Sequence, residues 1–337
     1  MTIDIHHHML PPELVDALTE HGVTNIGGEP LPAWRPQASL DVMDRNDIDR
    51  AILSAPIPLH FLQPRAAATL ATQINRFAHE CTERWPERFG YFASLPLPDV
   101  ETAVAEAISA LDQYGASGVA MLSNHAGMYQ GDPRLDPLYE ELDKRRAVAF
   151  VHPTVFTAGD YPIGPSDGSR IPSIQPSQLE FGFDSTRSVS KLLLAQVDRR
   201  FPHIRFVFTH SATCVPSVLH KLLGRKPMVD AYTASIRDQG APPPIHDLLT
   251  QLRAAEAEAR QRIRWFFFDT ALSTAAPVLD ALTAIVPTTH ILLGTDFPFG
   301  QEVGLRYTLD GIHSYRHYTD DDRTHVLATN AGNLLDR

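Results

Sequence analysis

Short runs of apolar, β-branched or aromatic residues alternate along the chain with longer segments whose apolar residues recur every three or four positions. Eight short runs stand out: Thr2–His7, Arg50–Ala55, Phe89–Leu95, Gly118–Ser123, Val148–His152, Arg205–Thr209, Ile263–Asp269 and His290–Thr295. Most are almost continuously apolar, as in VAFVHP, RFVFTH and ILLGTD, the pattern of strands buried on both faces of a parallel sheet. The helical period appears in Arg65–Trp85, Glu101–Tyr114, Pro133–Arg145, Thr186–Phe201, Pro216–Leu223, Ile245–Arg260, Ala275–Val286 and Asp320–Leu335. Asp99 and Asp132 read as N-caps, the latter followed by Pro133 at the first helical position.

Eight strand–helix units in one chain predict a (β/α)8 TIM barrel formed by residues 1–337 as one domain. The alternative is a doubly wound open sheet, but no Gly-rich phosphate turn follows the first strand. Pro11–Asp49, Val155–Ser185 and Phe299–Tyr318 exceed ordinary connections and read as long loops after strands one, five and eight. All three leave a strand's C-terminal end, so they are expected to wall and cover the pocket of a barrel enzyme.

Composition narrows the function by exclusion. Lysine and arginine number 29 against 40 aspartates and glutamates, a net charge of −11 without a basic block, which argues against nucleic acid and anionic membranes as partners. No apolar run reaches the roughly 18–20 residues of a membrane span, and no signal peptide is visible at the N-terminus. Two cysteines, Cys81 and Cys214, form neither a disulfide framework nor a Cys-x-x-Cys site, so a reducing, cytoplasmic setting is expected.

The chemistry-bearing residues sit where the apolar runs end. The first run reads TIDIHHH. Strand alternation puts His6 and His8 on one face and His7 on the other. Two imidazoles two positions apart at a strand's end form a natural metal pair. The competing reading, a cloning tag, is disfavoured because there are only three histidines and they grow out of a strand. His152 closes the fifth run, His210 follows the sixth and Asp296 the eighth. Together these residues supply three imidazoles and a carboxylate for a metal, with one imidazole left for proton transfer.

These motifs, taken in order, resemble the amidohydrolase superfamily, and within it the branch around aminocarboxymuconate-semialdehyde decarboxylase. The resemblance rests on the His-x-His of strand one with its following Pro-Pro, FVHPT, the strand-six histidine and GTDFPF. The stretches SNHAGMYQGDPRLDPLYEELDKRRAVAFVHPT and EFGFDSTRSVSKLL are most similar to decarboxylases of 6-methylsalicylate-type phenolic acids. By position, the resemblance implies His6, His8, His152 and Asp296 as metal ligands and His210 as the acid–base residue. Ser211, Ala212 and Thr213 stand where many relatives carry Gly-Gly. Strand four runs into Ser123-Asn124-His125 with no lysine to carbamylate, so one divalent ion is expected. Zinc is favoured by ligand type, and manganese is the alternative.

Other residues have two readings each. Asp269, after strand seven, is a second acid or a hydrogen-bonding partner. Arg187 holds a substrate carboxylate or belongs with Asp184 to a helix-start network. Asn124 and His125 are rim residues open to substrate contact. Trp34, Phe297 and Phe299 form an aromatic wall or simply pack. Cys214 reads as a buried thiol rather than a nucleophile, and Asp320-Asp321-Asp322 as a solvated helix start.

The expected activity is metal-dependent, non-oxidative decarboxylation of an aromatic hydroxy acid, with His210 or a protonated Asp296 delivering the proton, in a homo-oligomer whose partner is a small aromatic carboxylate. A lactone, ester or amide hydrolase, or a hydratase, on the same barrel is the alternative, and a catalytically silent binding barrel is a third reading.

Overall fold

In a computed structural model, described over residues 1–154, 174–212, 214–221 and 226–336, the eight expected runs all contribute strands to one parallel sheet. The strands are Ile3–His8, Arg50–Ser54, Phe89–Ser94, Gly118–Leu122, Val148–His152, Arg205–Phe208, Phe267–Asp269 and Ile291–Leu292, adjacent in chain order. The sheet closes on itself: Ile5 N–H donates to the Leu293 carbonyl at 3.0 Å and Asp296 N–H to the His6 carbonyl at 2.9 Å. The fold is a (β/α)8 barrel.

Near-continuous apolarity has its physical reason in two clusters. Ile3, Ile5, Ile52, Phe92, Phe150, Val207 and Leu292 fill the barrel's interior. Ala331 and Leu334 of the last helix, Asn330–Leu335, join that cluster. The opposite strand faces pack against the helices in a larger cluster that includes Leu53, Tyr91, Val119, Phe206 and Phe268. The Asp99 carboxylate accepts from Thr102 N–H, capping Val100–Asp112. Asp132 caps a 3-10 turn, Pro133–Leu135, that runs into the helix Asp136–Lys144.

The structure corrects several expectations. The stretch 11–49 holds two helices, Pro12–Glu20 and Pro36–Arg45, and the stretch 299–318 holds Gln301–Ser314. Of Val155–Ser185, residues 155–173 lie outside the described residues, as does Thr213. The expected helix at Thr186 begins earlier and breaks at Gln196, whose φ of 55° is left-handed, giving Glu180–Leu194 and Val197–Arg200. Ile263 ends the helix Ile245–Ile263 and does not belong to the seventh strand. The helix Lys226–Gln239 had no counterpart in the pattern. Among the described residues, no helix is long and apolar enough to cross a membrane.

Candidate functional site

The first strand's register against the second shifts between Asp4 and His7. Beyond the shift, His6 and His8 share a side, with Nε2 atoms 2.9 Å apart, while His7 turns away to Asp4 and Ser39. The Asp296 Oδ1 atom lies 3.3 Å from His6 Nε2 and 2.9 Å from His8 Nε2. The His152 ring completes the group from the fifth strand, its centroid 5.4 Å from that of His6 and 5.1 Å from that of His8. His210 reaches in after the sixth strand, 5.0 Å from His6 and 5.5 Å from His152 between centroids. One donor atom from each of His6, His152, His210 and Asp296 lies within 4.8 Å of the others. The barrel thus gathers residues from four strand ends.

Each imidazole is fixed from behind through Nδ1. His6 Nδ1 lies 2.8 Å from Asp269 Oδ2, and His8 Nδ1 lies 3.3 Å from Ser54 Oγ. His152 Nδ1 donates to the Pro153 carbonyl at 2.8 Å and His210 Nδ1 to the Ala271 carbonyl at 3.0 Å. A carbonyl oxygen only accepts, so in the neutral rings of His152 and His210 the proton sits on Nδ1 and the lone pair on Nε2. Lone-pair nitrogens converging with a carboxylate, each ring held by an outer hydrogen bond, make a donor set that fits a divalent ion. His210, Ser211 and Ala212 have φ of 53°, 58° and 40°, and Asp296 has φ of 61°. Non-glycine residues held in the left-handed region mark a backbone constrained to present particular side chains.

The electrostatics show the same demand for positive charge. Burial works against protonating His6, but Asp269 and Asp296 outweigh it and push its pKa up to about 10. Burial lowers His8 despite Asp296, and burial with the neighbouring imidazoles holds His152 well below the usual histidine range. Burial disfavours the Asp296 carboxylate, yet hydrogen bonds with His6 and His8 hold it well below its ordinary value. A metal ion competes with protons for such groups.

His8, His152, His210 and Asp296 line a cavity of about 670 Å³, with Met9, Ile57, Phe181, Leu272, Val278 and Phe299 among its apolar lining. Phe299 therefore does wall the site, its ring 5.4 Å from His8. Cys214 also lines it, half-buried rather than buried, with its thiol pKa raised by burial.

Three residues expected to contact substrate are not in this cavity's described lining. Asn124 is buried, donating to Asp184 at 3.0 Å and accepting from Gly127 N–H at 3.1 Å. Arg187 is exposed and stacks over the Tyr129 ring. Phe297 packs on His7 at 5.1 Å, and neither it, Asn124 nor Arg187 lines the cavity. Trp34 donates to Ser39 Oγ at 2.8 Å and likewise lies off the cavity wall. His125 is buried away from the cavity, its Nε2 accepting from Leu122 N–H. The residues that the sequence did not single out are Met9, Ile57, Phe181, Leu272 and Val278. Of these, Phe181 lay in the stretch EFGFDSTRSVSKLL and Val278 in the helical stretch Ala275–Val286.

Comparison with known proteins gives a consistent picture. The amidohydrolase family model matches residues 3–337. Decarboxylase yanB of Aspergillus niger is 32% identical over 313 residues, covering 88% of this chain and 77% of that protein. The 6-methylsalicylic acid decarboxylase acuB of Aspergillus aculeatus is 29% identical over 310 residues, covering 88% and 84%. A crystal structure described as an amidohydrolase II superposes with a TM-score of 0.83 at 26% identity, covering 99% of both chains. A dihydroxybenzoic acid decarboxylase from Polaromonas sp. JS666, with bound manganese and 2-nitroresorcinol, gives 0.74 at 18% identity, covering 99% and 96%.

Proposed function

The chain belongs to the amidohydrolase family, and from that premise we propose that it is a metal-dependent carboxy-lyase that removes CO2 from a phenolic, salicylate-type acid such as 6-methylsalicylate. The observation that carries this reading is the meeting of four imidazoles and one carboxylate, of which His8, His152, His210 and Asp296 line an apolar-walled cavity. Relatives named as decarboxylases match along most of the chain.

In this reading His6, His8, His152 and Asp296 hold one divalent ion. When bound, the ion supplies charge neutralisation for a carboxylate and an adjacent phenol oxygen. Ligand chemistry favours zinc; manganese, present in the Polaromonas protein, is the competing choice. Phe299 and the apolar wall hold the ring and exclude water from the carboxylate. Asp296 Oδ1 is already shared with His6 and His8, which assigns proton delivery to His210. The imidazolium of His210 protonates the ring carbon that bears the carboxylate. The carbon–carboxyl bond then breaks, its electron pair restores the aromatic ring, CO2 departs, and His210 regains a proton from solvent. Hydrogen replaces the carboxyl group, and no redox cofactor enters.

The same reading takes residues 1–337 as one barrel domain that works in the cytoplasm as a homo-oligomer. Both cysteines being free agrees with a reducing setting. A single unfolding transition, fractionation and sedimentation check these three points in turn. The activity is tested by supplying 6-methylsalicylate to protein reconstituted with zinc or manganese. CO2 release is expected, and in deuterated water the product carries deuterium at the carbon that lost the carboxylate. No CO2 from any ortho-hydroxy aromatic acid, alongside robust lactone or ester hydrolysis, overturns the assignment.

A further inference from the structure

The cavity is larger and more one-sided than a single-ring acid requires. Its volume of about 670 Å³ lies within the roughly 300–1,000 Å³ of pockets that enclose drug-sized ligands. The groups able to chelate or to exchange protons are concentrated at His8, His152, His210 and Asp296. Away from them the lining is mostly apolar, with Ile57 following the second strand, Leu272 and Val278 following the seventh, and Leu179 preceding the helix Glu180–Leu194. Leu179 and Leu272 are 42% and 40% exposed yet face this cavity, so apolar surface is left open to water at its mouth. Covering such surface is favourable for any apolar group that reaches it.

Elsewhere the described lining also carries Glu29, Ser177, Gln178, Cys214 and Ser273. Ser177 Oγ donates to Glu29 Oε1 at 3.2 Å, so these two satisfy one another. The described lining contains no lysine or arginine, and Glu29 would repel a second anionic group. The described lining therefore offers the part of the ligand remote from the chelating end apolar contacts and no cationic partner.

We infer that the site takes ortho-hydroxy aromatic acids bearing an extended apolar substituent, an alkyl chain of several carbons, that runs from the histidine cluster along Val278 and Leu272 toward Leu179. The inference rests on the decarboxylase reading and narrows its substrate class.

The test is a series of salicylates with methyl, propyl, pentyl and heptyl groups at ring position 6, offered to the metal-loaded protein. Calorimetric Kd and CO2 release are measured side by side. Binding is expected to tighten about fourfold per methylene, the factor equivalent to about 0.8 kcal/mol per buried CH2, with an increasingly negative heat-capacity change. Ala275→Phe and Val278→Trp, which narrow the lining at and just beyond the start of the helix Ala276–Thr283, are expected to abolish the gain for pentyl and heptyl, each series being read relative to the methyl compound with the same variant. CO2 from the methyl acid with flat or weakening affinity along the series overturns this inference and leaves the decarboxylase reading intact. Affinity that rises with chain length, without CO2 from any member, upholds the inference about the cavity and overturns the reading of the reaction.

Discussion

His6 and Asp269 meet in a fully buried contact, Nδ1 to Oδ2 at 2.8 Å, across 263 residues of sequence. The contact turns His6 Nε2 toward His8 and Asp296. The other Asp269 oxygen accepts the backbone N–H groups of His210 and Ala271, both at 3.0 Å. One carboxylate therefore sets the aim of a candidate ligand and the position of the candidate proton carrier.

Asp269→Asn keeps the shape and weakens the grip on His6. Partners of this outer kind typically contribute about 10–100-fold to metal affinity. The variant is expected to fold normally by circular dichroism and to lose metal affinity within that range, read by competition with a chelating dye. Unchanged affinity would make Asp269 a purely structural residue.

His8 and His210 separate the ligand role from the proton-transfer role. His8→Ala is expected to empty the site, because its Nε2 lies against both His6 and Asp296. His210→Ala is expected to retain the ion and lose about 10²–10⁴-fold in kcat, the usual worth of a general acid. Metal content by mass spectrometry and kcat are measured on the same preparations. A metal-free His210→Ala protein would move His210 into the ligand set, as the proximity of its donor atom to those of His6, His152 and Asp296 allows.

The barrel was legible because buried parallel strands write long apolar runs, and its candidate site because polar residues terminate them. The helix Gln301–Ser314 was not legible, since Gly304 and Gly311 lower its helical character. The structure explains both glycines: a Cβ at Gly311 would come within 2.1 Å of Thr274 Oγ1, and one at Gly304 within 2.7 Å of Leu272 Cδ2. Close packing against the segment after strand seven outweighs propensity there. Asn124, Arg187 and Phe297 sit in or near motif-bearing stretches, but sequence position does not reveal side-chain direction. Asp184 holds Asn124 from the neighbouring helix, and that pairing spans 60 residues. The cavity's apolar wall comes from separate loops and helix starts that share no period.

Asp184 is a buried carboxylate that accepts from Ser123 Oγ, from Asn124 at 3.0 Å and from Tyr129 OH at 2.6 Å. Ser123 in turn receives Thr154 N–H at 3.0 Å and donates its own N–H to the His152 carbonyl at 2.8 Å. Burial, together with this neighbouring carboxylate, pushes the Tyr129 phenol up to about 12. Asp184→Ala strands several buried donors, each costing about 1–3 kcal/mol when unsatisfied. A loss of at least that size is expected in urea unfolding, with Tyr129→Phe costing less. Equal stability of Asp184→Ala and the parent would show that the network contributes nothing net.

The helices Pro36–Arg45 and Gln301–Ser314, both within stretches expected to be loops, are joined by Arg45 and Glu302, Nη2 to Oε2 at 2.7 Å. Hydrogen bonds from Arg45, Arg306 and Asn46 lower the Glu302 pKa from 4.5 to about 2. A carboxyl with a depressed folded-state pKa binds fewer protons folded than unfolded, so its contribution to stability is complete above about pH 4.5 and is lost as the pH falls toward 2. Glu302→Gln removes that titration. The stability difference between parent and variant is therefore expected to be largest at neutral pH and to shrink between pH 4.5 and 2, read from urea midpoints across the range. Because the pair is largely solvent-facing, 0.5 M salt should shrink the neutral-pH difference as well. A difference independent of both pH and salt would show that Glu302 acts through packing rather than through its charge.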